Sequence, residues 1–133
     1  MKYTEIAGTL IVEDEGLLLL YRKDRSWWEL PGGKKKEDES PTQTAVRETK
    51  EEINVEVDLE KPFFSGEFEN EGELFLWHGY LAKTDERPEV NEEDKFSKLE
   101  WFDAEDIDEK DLAPNLRQIG PALRRLLKNS TKN

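Results

Sequence analysis

The sequence contains no cysteine, and only one histidine and one methionine, among its 133 residues. Without cysteine the chain can form no disulfide framework, no thiolate nucleophile and no thiolate metal site. A zinc site is also unexpected, because the one histidine, His78, lies inside an apolar segment. The candidates that remain for chemistry are oxygen ligands, which the sequence holds in large number.

Long apolar segments are missing as well. No stretch approaches the ~18 apolar residues that a membrane-spanning helix requires. Residues 1–10 lack the long apolar region that is typical of a signal peptide. We therefore expect a cytoplasmic protein that does not interact with membranes.

Positive charge is in deficit, because 20 Lys and Arg residues face 32 Asp and Glu residues, for a net charge of −12. A field of that sign repels nucleic acid, so we expect no nucleic-acid partner. It would also repel a phosphorylated small molecule unless metal cations stood between the two. A module that binds a basic partner protein is an alternative reading of the charge alone.

The length and composition indicate one α/β domain over residues 1–133, with residues 129–133 as a frayed tail. Strands mixed with two main helices predict a sheet covered on both faces. The predicted strands are two within 8–23 around a turn at 13–16, one at 27–30, one beginning at 55–57, two within 63–83 around a turn at 70–72, and one at 98–102. The predicted helices are one from 41 to about 54, a short turn at 103–107 and a terminal helix at 115–129, and residues 83–95 form a polar loop.

The first main helix carries clear boundary signals. Ser40 suits the N-cap, Pro41 the first helical position, and Gln43 can complete a capping box with Ser40. Asn54 suits a left-handed position at the C-terminal end. The inward face is expected to hold Ala45, Val46, Thr49 and Ile53, and that of the terminal helix Leu116, Ile119, Leu123, Leu126 and Leu127.

Three carboxylates share one face of this helix, because Glu48, Glu51 and Glu52 lie at positions i, i+3 and i+4. Like charges at this spacing repel each other by roughly 0.2–0.5 kcal/mol per pair, and there are too few lysines here to offset them. A divalent cation would do so, and hard oxygen ligands suit Mg²⁺ or Mn²⁺. The preceding Gly32 and Gly33 would let the backbone approach a metal or a phosphate closely.

The same residues resemble a known signature. Gly33, Glu39 and the segment 47–55, with sequence RETKEEINV, are similar to the Nudix box G-x5-E-x7-R-E-U-x-E-E-x-G-U, in which U is a bulky apolar residue. The preceding residues 28–32, WELPG, resemble the usual lead-in to that box. Thr49 replaces the bulky apolar residue and Asn54 replaces the glycine, and neither is a metal ligand of the signature.

The resemblance implies a Nudix-type α/β/α sandwich with a mixed sheet, and Mg²⁺-dependent hydrolysis, with Mn²⁺ as a substitute, of a nucleoside diphosphate linked to a further group. It implies that Glu48, Glu51 and Glu52, together with the Gly32 carbonyl, hold the metal. The general base varies in this family and is expected to be Glu48, Glu52 or a carboxylate of a later loop. Arg47 would orient a box glutamate, with Glu39 as its partner.

Further candidates lie outside the box. Many family members add a carboxylate from the loop before the last strand, and here Glu92, Glu93 and Asp94 are available, with Glu93 preferred. We expect Gly33, Lys34, Arg47 and Trp28 to contact the substrate, although core packing is an alternative for the tryptophan.

The substrate is expected to be a nucleoside triphosphate, oxidised or not, cleaved to a monophosphate and pyrophosphate. The proline typical of ADP-ribose hydrolases is absent from its place, where Asn70 and Glu71 stand, and Tyr80 comes too late for a dinucleoside polyphosphate hydrolase. Those two activities remain alternatives, as does a nucleotide-sensing domain without catalysis. An isomerase on the same fold is disfavoured by the lack of cysteine, and a monomer or a homodimer is expected.

Overall fold

The computed structural model describes residues 2–108 and 110–130. In this part of the chain it has seven strands and four helices. The strands are β1 (Thr4–Glu13), β2 (Gly16–Arg22), β3 (Trp27–Glu29), β4 (Gly32–Lys34), β5 (Asp58–Asn70), β6 (Glu73–Lys83) and β7 (Phe96–Phe102). The helices are α1 (Pro41–Ile53), α2 (Ala104–Ile107), α3 (Pro114–Gln118) and α4 (Gly120–Ser130).

The sheet is mixed and is organised around β1. On one side β1 pairs in parallel with β6, from Thr4 opposite Phe75 to Ile11 opposite Ala82, and β5 continues the sheet antiparallel to β6. On its other side β1 pairs with β4 near its start and with β2 near its end. β2 in turn pairs with β3 and β7, both antiparallel.

Helices cover both faces of this sheet, because alternate side chains of the central strands point to opposite sides. On one face, Ile11 of β1 and Leu18 of β2 pack with Ile53 of α1. On the other face, Leu10 and Leu19 pack with the buried side chains of α3 and α4, which are Leu116, Leu123 and Leu127. The α/β/α sandwich with a mixed sheet that the sequence predicted is confirmed.

Helix α1 begins and ends at the predicted signals. The Gln43 amide donates to the Ser40 hydroxyl (3.2 Å), and the Gln43 side chain accepts from the Ser40 amide (2.8 Å), which completes the capping box. Asn54 adopts the left-handed conformation, with φ 60° and ψ 37°. Thr49 is buried and hydrogen-bonds Thr9 of β1 (2.9 Å), so a polar pair replaces the expected apolar contact between helix and sheet.

Two predicted elements differ in the structure. Residues 55–57 do not start a strand, because Val55 and Val57 are buried under α1 as part of a connection and pairing begins only at Asp58. Residues 32–34, for which no strand was predicted, form strand β4, which pairs with Ile6–Gly8 of β1. That pairing requires glycine, since a Cβ on Gly32 would lie 2.5 Å from the Ala7 carbonyl oxygen.

The predicted terminal helix over 115–129 is also divided. α3 ends at Gln118 and α4 begins at Gly120, because Pro121 has no amide hydrogen to continue the first helix. α4 extends to Ser130, and residues 131–133 of the predicted frayed tail lie outside the described residues. No helix within residues 2–108 and 110–130 is long and apolar enough to cross a membrane.

The left-handed conformation of Asn54 gives a stability prediction. Replacing Asn54 with alanine should lower the free energy of unfolding by about 1 kcal/mol, because a Cβ without a polar side chain pays the full cost of this conformation. Asn54→Gly, the control, should be at least as stable as the natural chain. Urea denaturation monitored by circular dichroism would check both, and an alanine variant as stable as the natural chain would contradict the argument.

Candidate active site

The acidic residues of α1 lie at the end of the helix that faces β4, and their exposure differs. Glu52 is 1% exposed, Glu48 is partly buried and Glu51 is exposed. A carboxylate as buried as Glu52 is unusual unless it is paired or hydrogen-bonded. The helix therefore places one of its three acidic side chains fully inside the protein.

Strand β4 approaches this helix closely at its glycines. The Gly32 amide donates a hydrogen bond to Oε1 of Glu52 (3.0 Å). A Cβ on Gly33 would lie 2.4 Å from Cδ of Glu48, so any side chain at this position would displace that carboxylate. The two glycines allow a bare stretch of backbone to lie against the acidic face of α1.

Arg47 holds the remaining acidic side chains. Its Nε and Nη2 donate to the two oxygens of Glu39 (2.5 and 2.9 Å), and its Nη1 donates to Glu48 and to Glu51 (3.1 Å each). Nη2 also donates to the Lys34 carbonyl of β4 (3.1 Å). The Arg47–Glu39 contact expected from the sequence is present, and it fixes the start of the acidic face to the loop before the helix.

The nearby positive charge does not offset the burial of the carboxylates at this site. Burial, more than any other cause, raises the pKa of Glu52 well above its usual value, and the nearby carboxylates of Glu29 and Glu48 add to the shift. The pKa of Glu48 is raised by burial and then by Glu51. Burial likewise raises the pKa of Glu29, against the Trp27 indole that donates to it (2.7 Å). Glu29, Glu48, Glu51 and Glu52 therefore form one carboxylate cluster.

The loop between β6 and β7 docks on the C-terminal end of α1. The Asn91 amide donates to the Glu52 carbonyl (2.8 Å), and its side chain donates to the Glu51 carbonyl (2.9 Å). The Glu89 amide donates to the Ile53 carbonyl (3.1 Å). These bonds satisfy carbonyls that the end of a helix leaves free, and they fix the loop beside Glu52.

This docking decides which acidic residue of the loop faces inward. Glu92 is partly buried, and its Oε1 is buried with no hydrogen-bond partner among the described residues, although Nζ of Lys95 lies 3.5 Å away. Glu93 and Asp94 are exposed. Of the three candidates in this loop, Glu92 is therefore the one that faces inward, in a tight turn whose Lys95 and Phe96 amides donate to the Glu92 carbonyl. Glu93, the preferred candidate, is exposed.

The residues of this cluster can be tested as ligands of a divalent cation. Among residues 2–108 and 110–130, no three acidic or histidine side chains converge closely enough to hold a metal ion in the conformation described. Arg47 draws Glu48 and Glu51 together, whereas Glu52 is bound to β4. The donor set nevertheless fits Mg²⁺, since it consists of hard oxygens, and a buried Glu92 oxygen has no hydrogen-bond partner in the described part of the chain.

A cavity of about 290 Å³ opens beside β4. Its walls combine aromatic rings, cationic side chains, amides and the backbone of β4. The lining includes Trp27, Phe68, Phe75, Trp77, Arg22, Arg25, Glu29, Asn70, Asn115, Gly32, Gly33 and Lys34. Of the predicted substrate contacts, Gly33 and Lys34 therefore line a cavity next to the acidic face.

Trp28 does not line this cavity, so its prediction as a substrate contact is corrected. It is 6% exposed and packs edge-on against Tyr21 and Phe102 in the core. Because side chains alternate along β3, Trp27 and Glu29 point to the cavity side while Trp28 points inward. That alternation was the signal in the sequence that would have selected Trp27 and Glu29. No local pattern marked the other cavity residues, such as Phe68 and Asn115, which come from distant segments.

Comparison with known proteins identifies the family. The family model described as the NUDIX domain matches residues 2–123. The chain belongs to the Nudix family.

Similar proteins include an uncharacterised Nudix hydrolase, YvcI, of Bacillus subtilis, which is 29% identical over 115 residues, or 82% of this chain and 72% of that one. A CTP pyrophosphohydrolase of Escherichia coli is 33% identical over 84 residues, or 60% of this chain and 62% of that one. The crystal structure of a MutT Nudix hydrolase from Burkholderia pseudomallei superposes with a TM-score of 0.83 at 26% identity, over 91% of this chain and 98% of that one. This Nudix protein is accordingly a hydrolase of phosphoanhydride bonds in small nucleotide-like molecules.

The Arg47–Glu39 pair gives a prediction about acid stability. Hydrogen bonds from Arg47 and from the Lys36 amide lower the pKa of Glu39 from 4.5 to about 2. A lowered pKa in the folded state stabilises the protein above pH 4.5, and this contribution is lost as the pH falls towards 2. Glu39→Gln should therefore reduce the free energy of unfolding at pH 7, and this reduction should shrink steadily between pH 4.5 and 2.

Urea denaturation of both proteins across this pH range would measure the difference. Glu37→Gln, a change of the same charge in the same loop, is the control for net charge. A Glu39→Gln effect that is independent of pH would show that the pair does not act through ionisation.

Proposed function

We propose that this Nudix hydrolase cleaves nucleoside triphosphates to a nucleoside monophosphate and pyrophosphate in the presence of Mg²⁺, with Mn²⁺ as a substitute. One observation carries the proposal: the buried carboxylate of Glu52 and the glycines of β4 lie beside a cavity with aromatic and cationic walls. The relative named as a CTP pyrophosphohydrolase supports this class of substrate. We infer a cytoplasmic enzyme that acts on free nucleotides, since a net charge of −12 repels nucleic acid.

The protein's own groups have distinct parts in this reaction. Glu48, Glu51, Glu52 and Glu92, with the Gly32 carbonyl, are the oxygen donors that would hold the cation. When bound, Mg²⁺ neutralises phosphate oxygens and lowers the pKa of a water molecule. Arg47 uses its donors on Glu39, Glu48, Glu51 and the Lys34 carbonyl, so its part is to keep the carboxylates in position.

Hydrolysis adds the oxygen of water to a phosphorus atom and breaks the bond from that phosphorus to the bridging oxygen of the leaving pyrophosphate. A carboxylate has to accept the proton of the water. Glu52 suits this part because burial raises its pKa well above the usual value, closer to the pH at which the enzyme would work. Glu48 and Glu92 are the other candidates, since Glu48 is partly buried on α1 and Glu92 is partly buried in the loop docked on it.

The cavity beside β4 suits the nucleoside. Aromatic rings such as Trp27 offer a surface on which a base can stack, and the amides of Asn70 and Asn115 offer polar partners for its edge. The exposed Lys34 side chain and the backbone of Gly33 lie on the side nearer α1, where the phosphates would run. The cavity and the acidic cluster share β4, so one extended ligand can reach both.

The first test removes the charge of Glu52. Glu52→Gln should reduce kcat for nucleoside triphosphate hydrolysis by about 10²–10⁴-fold, because the amide can neither accept the proton nor serve as an anionic ligand. Products from nucleoside triphosphates (CTP first), oxidised nucleotides, ADP-ribose and dinucleoside polyphosphates would be identified by mass spectrometry.

The matched control is Glu60→Gln, which removes a carboxylate paired with Lys83 on the exposed start of β5. This variant should hydrolyse at the natural rate. An active Glu52→Gln enzyme would overturn the part assigned to Glu52. Cleavage confined to ADP-ribose or to dinucleoside polyphosphates would overturn the substrate class, and nucleotide binding without any cleavage would indicate a sensor.

A second test concerns the cavity. Trp27→Ala should raise KM for the nucleotide about tenfold, with a much smaller change in kcat, because a stacking surface is lost and the carboxylates remain. Trp27→Phe keeps a ring but loses the indole N–H that donates to Glu29, and its KM should stay near the natural value.

Steady-state kinetics on the same nucleotide would separate the two parameters. If Trp27→Phe were as impaired as Trp27→Ala, the hydrogen bond to Glu29, and not stacking, would be the contribution of Trp27.

A further inference from the structure

Lys95 lies at the end of the loop that docks on α1, and its charge reaches the carboxylate cluster. The positive charge of Lys95 attracts the carboxylates of Glu29, Glu48 and Glu52, although other groups act on them more strongly. Its Nζ lies 3.5 Å from the buried Oε1 of Glu92. The loop brings this ammonium group next to the carboxylates because Asn91 is bonded to the last turn of the helix.

Lys95 is held loosely in comparison with Arg47. Arg47 is fixed by hydrogen bonds to three carboxylates and a backbone carbonyl. Within residues 2–108 and 110–130, Lys95 makes one long ion pair, to Glu92, and lies 5.9 Å from the centre of the Phe96 ring. Its side chain is 40% exposed. An ammonium on a flexible stem with such contacts can move into solvent at little cost, whereas the guanidinium of Arg47 cannot.

The two cations therefore differ in what they can do. Arg47 is a permanent part of the site, and it leaves the buried oxygens of Glu52 and Glu92 unneutralised. Lys95 is held less firmly, lies 3.5 Å from the Glu92 oxygen, and its charge also acts on Glu52. A divalent cation that enters the cluster meets the repulsion of this ammonium, and it also removes the attraction that keeps the ammonium there.

We propose that Lys95 is an internal counter-ion of the carboxylate cluster, which stabilises the metal-free protein and competes with the divalent cation for the same oxygens. This inference rests on the proposed metal-dependent function. Lys95 thereby lowers the affinity for metal alone and makes that affinity sensitive to ionic strength. A bound polyphosphate offers the displaced ammonium a new anionic partner, so the nucleotide and the metal favour each other's binding.

The experiment measures metal binding without turnover. Mn²⁺ would be titrated into the natural protein and into Lys95→Met, with free Mn²⁺ followed by electron paramagnetic resonance. Lys95→Met removes the charge while keeping a long apolar stem. It should bind Mn²⁺ at least about threefold more tightly at low ionic strength, because a repulsive unit charge at a partly exposed position is gone. The difference should shrink as salt is added.

Two controls isolate the charge and its position. Lys95→Arg keeps the charge and should bind Mn²⁺ as the natural protein does. Lys98→Met changes the net charge equally, but Lys98 pairs with Glu100 (3.9 Å) and lies over the rings of Tyr21 and Trp28, so it should leave the affinity unchanged.

Thermal unfolding gives a second readout. Metal-free Lys95→Met should melt at a lower temperature than the natural protein, and saturating Mn²⁺ should close the gap. Equal or weaker Mn²⁺ binding by Lys95→Met would overturn the inference, and weaker binding would show that Lys95 orients Glu92 as a ligand. A natural protein that binds no Mn²⁺ would instead refute the proposed metal-dependent function.

Discussion

The structure depends on the close contact between strand β4 and helix α1. Gly32 donates its amide to Glu52, and Gly33 leaves the space that the carboxylate of Glu48 fills. This contact is possible only because β4 carries no side chains at these positions and because β1 holds it in the sheet. The acidic face, the cavity and the docked loop are all located relative to these two residues.

This arrangement is unfavourable in electrostatic free energy. Glu29, Glu48 and Glu52 are coupled carboxylates whose pKa values are all raised, chiefly by burial. A cluster of this kind opposes folding in proportion to the charge it buries. The compensation comes from elsewhere, from the apolar core on both faces of the sheet and from the bonds that Arg47 makes to Glu39. Carboxylates with shifted pKa values beside a cavity are typical of active sites.

The loop before β7 connects the site to a part of the chain far away in sequence. It satisfies the free carbonyls at the end of α1 through Asn91 and Glu89, and in doing so it brings Glu92 and Lys95 to the cluster. One set of backbone bonds thus both caps a helix and completes a site. The net negative charge of the molecule makes cations beside these carboxylates, such as Arg22, Arg47 and Lys95, more important than their number suggests.

The sequence by itself determined the features that depend on local structure. The capping box at Ser40, the left-handed Asn54 and the shared face of Glu48, Glu51 and Glu52 follow from neighbouring residues on one helix, and all three are present in the structure. The family signature lies in that helix and the loop before it, so it too was readable without a structure. The break of the last helix at Pro121 was also a local signal, but the strong apolar periodicity on both sides of the proline obscured it.

Only the tertiary structure decided the features that join distant segments. The pairing of β4 with β1, the inward position of Glu92 instead of Glu93, and the burial of Trp28 with Trp27 at the cavity depend on packing between elements far apart in sequence. Side chains adjacent in sequence can point to opposite sides, and the sequence does not state which side faces the core. The orientation depends on the free energy of burying apolar surface over the whole chain. The pattern of a single segment does not predict that free energy.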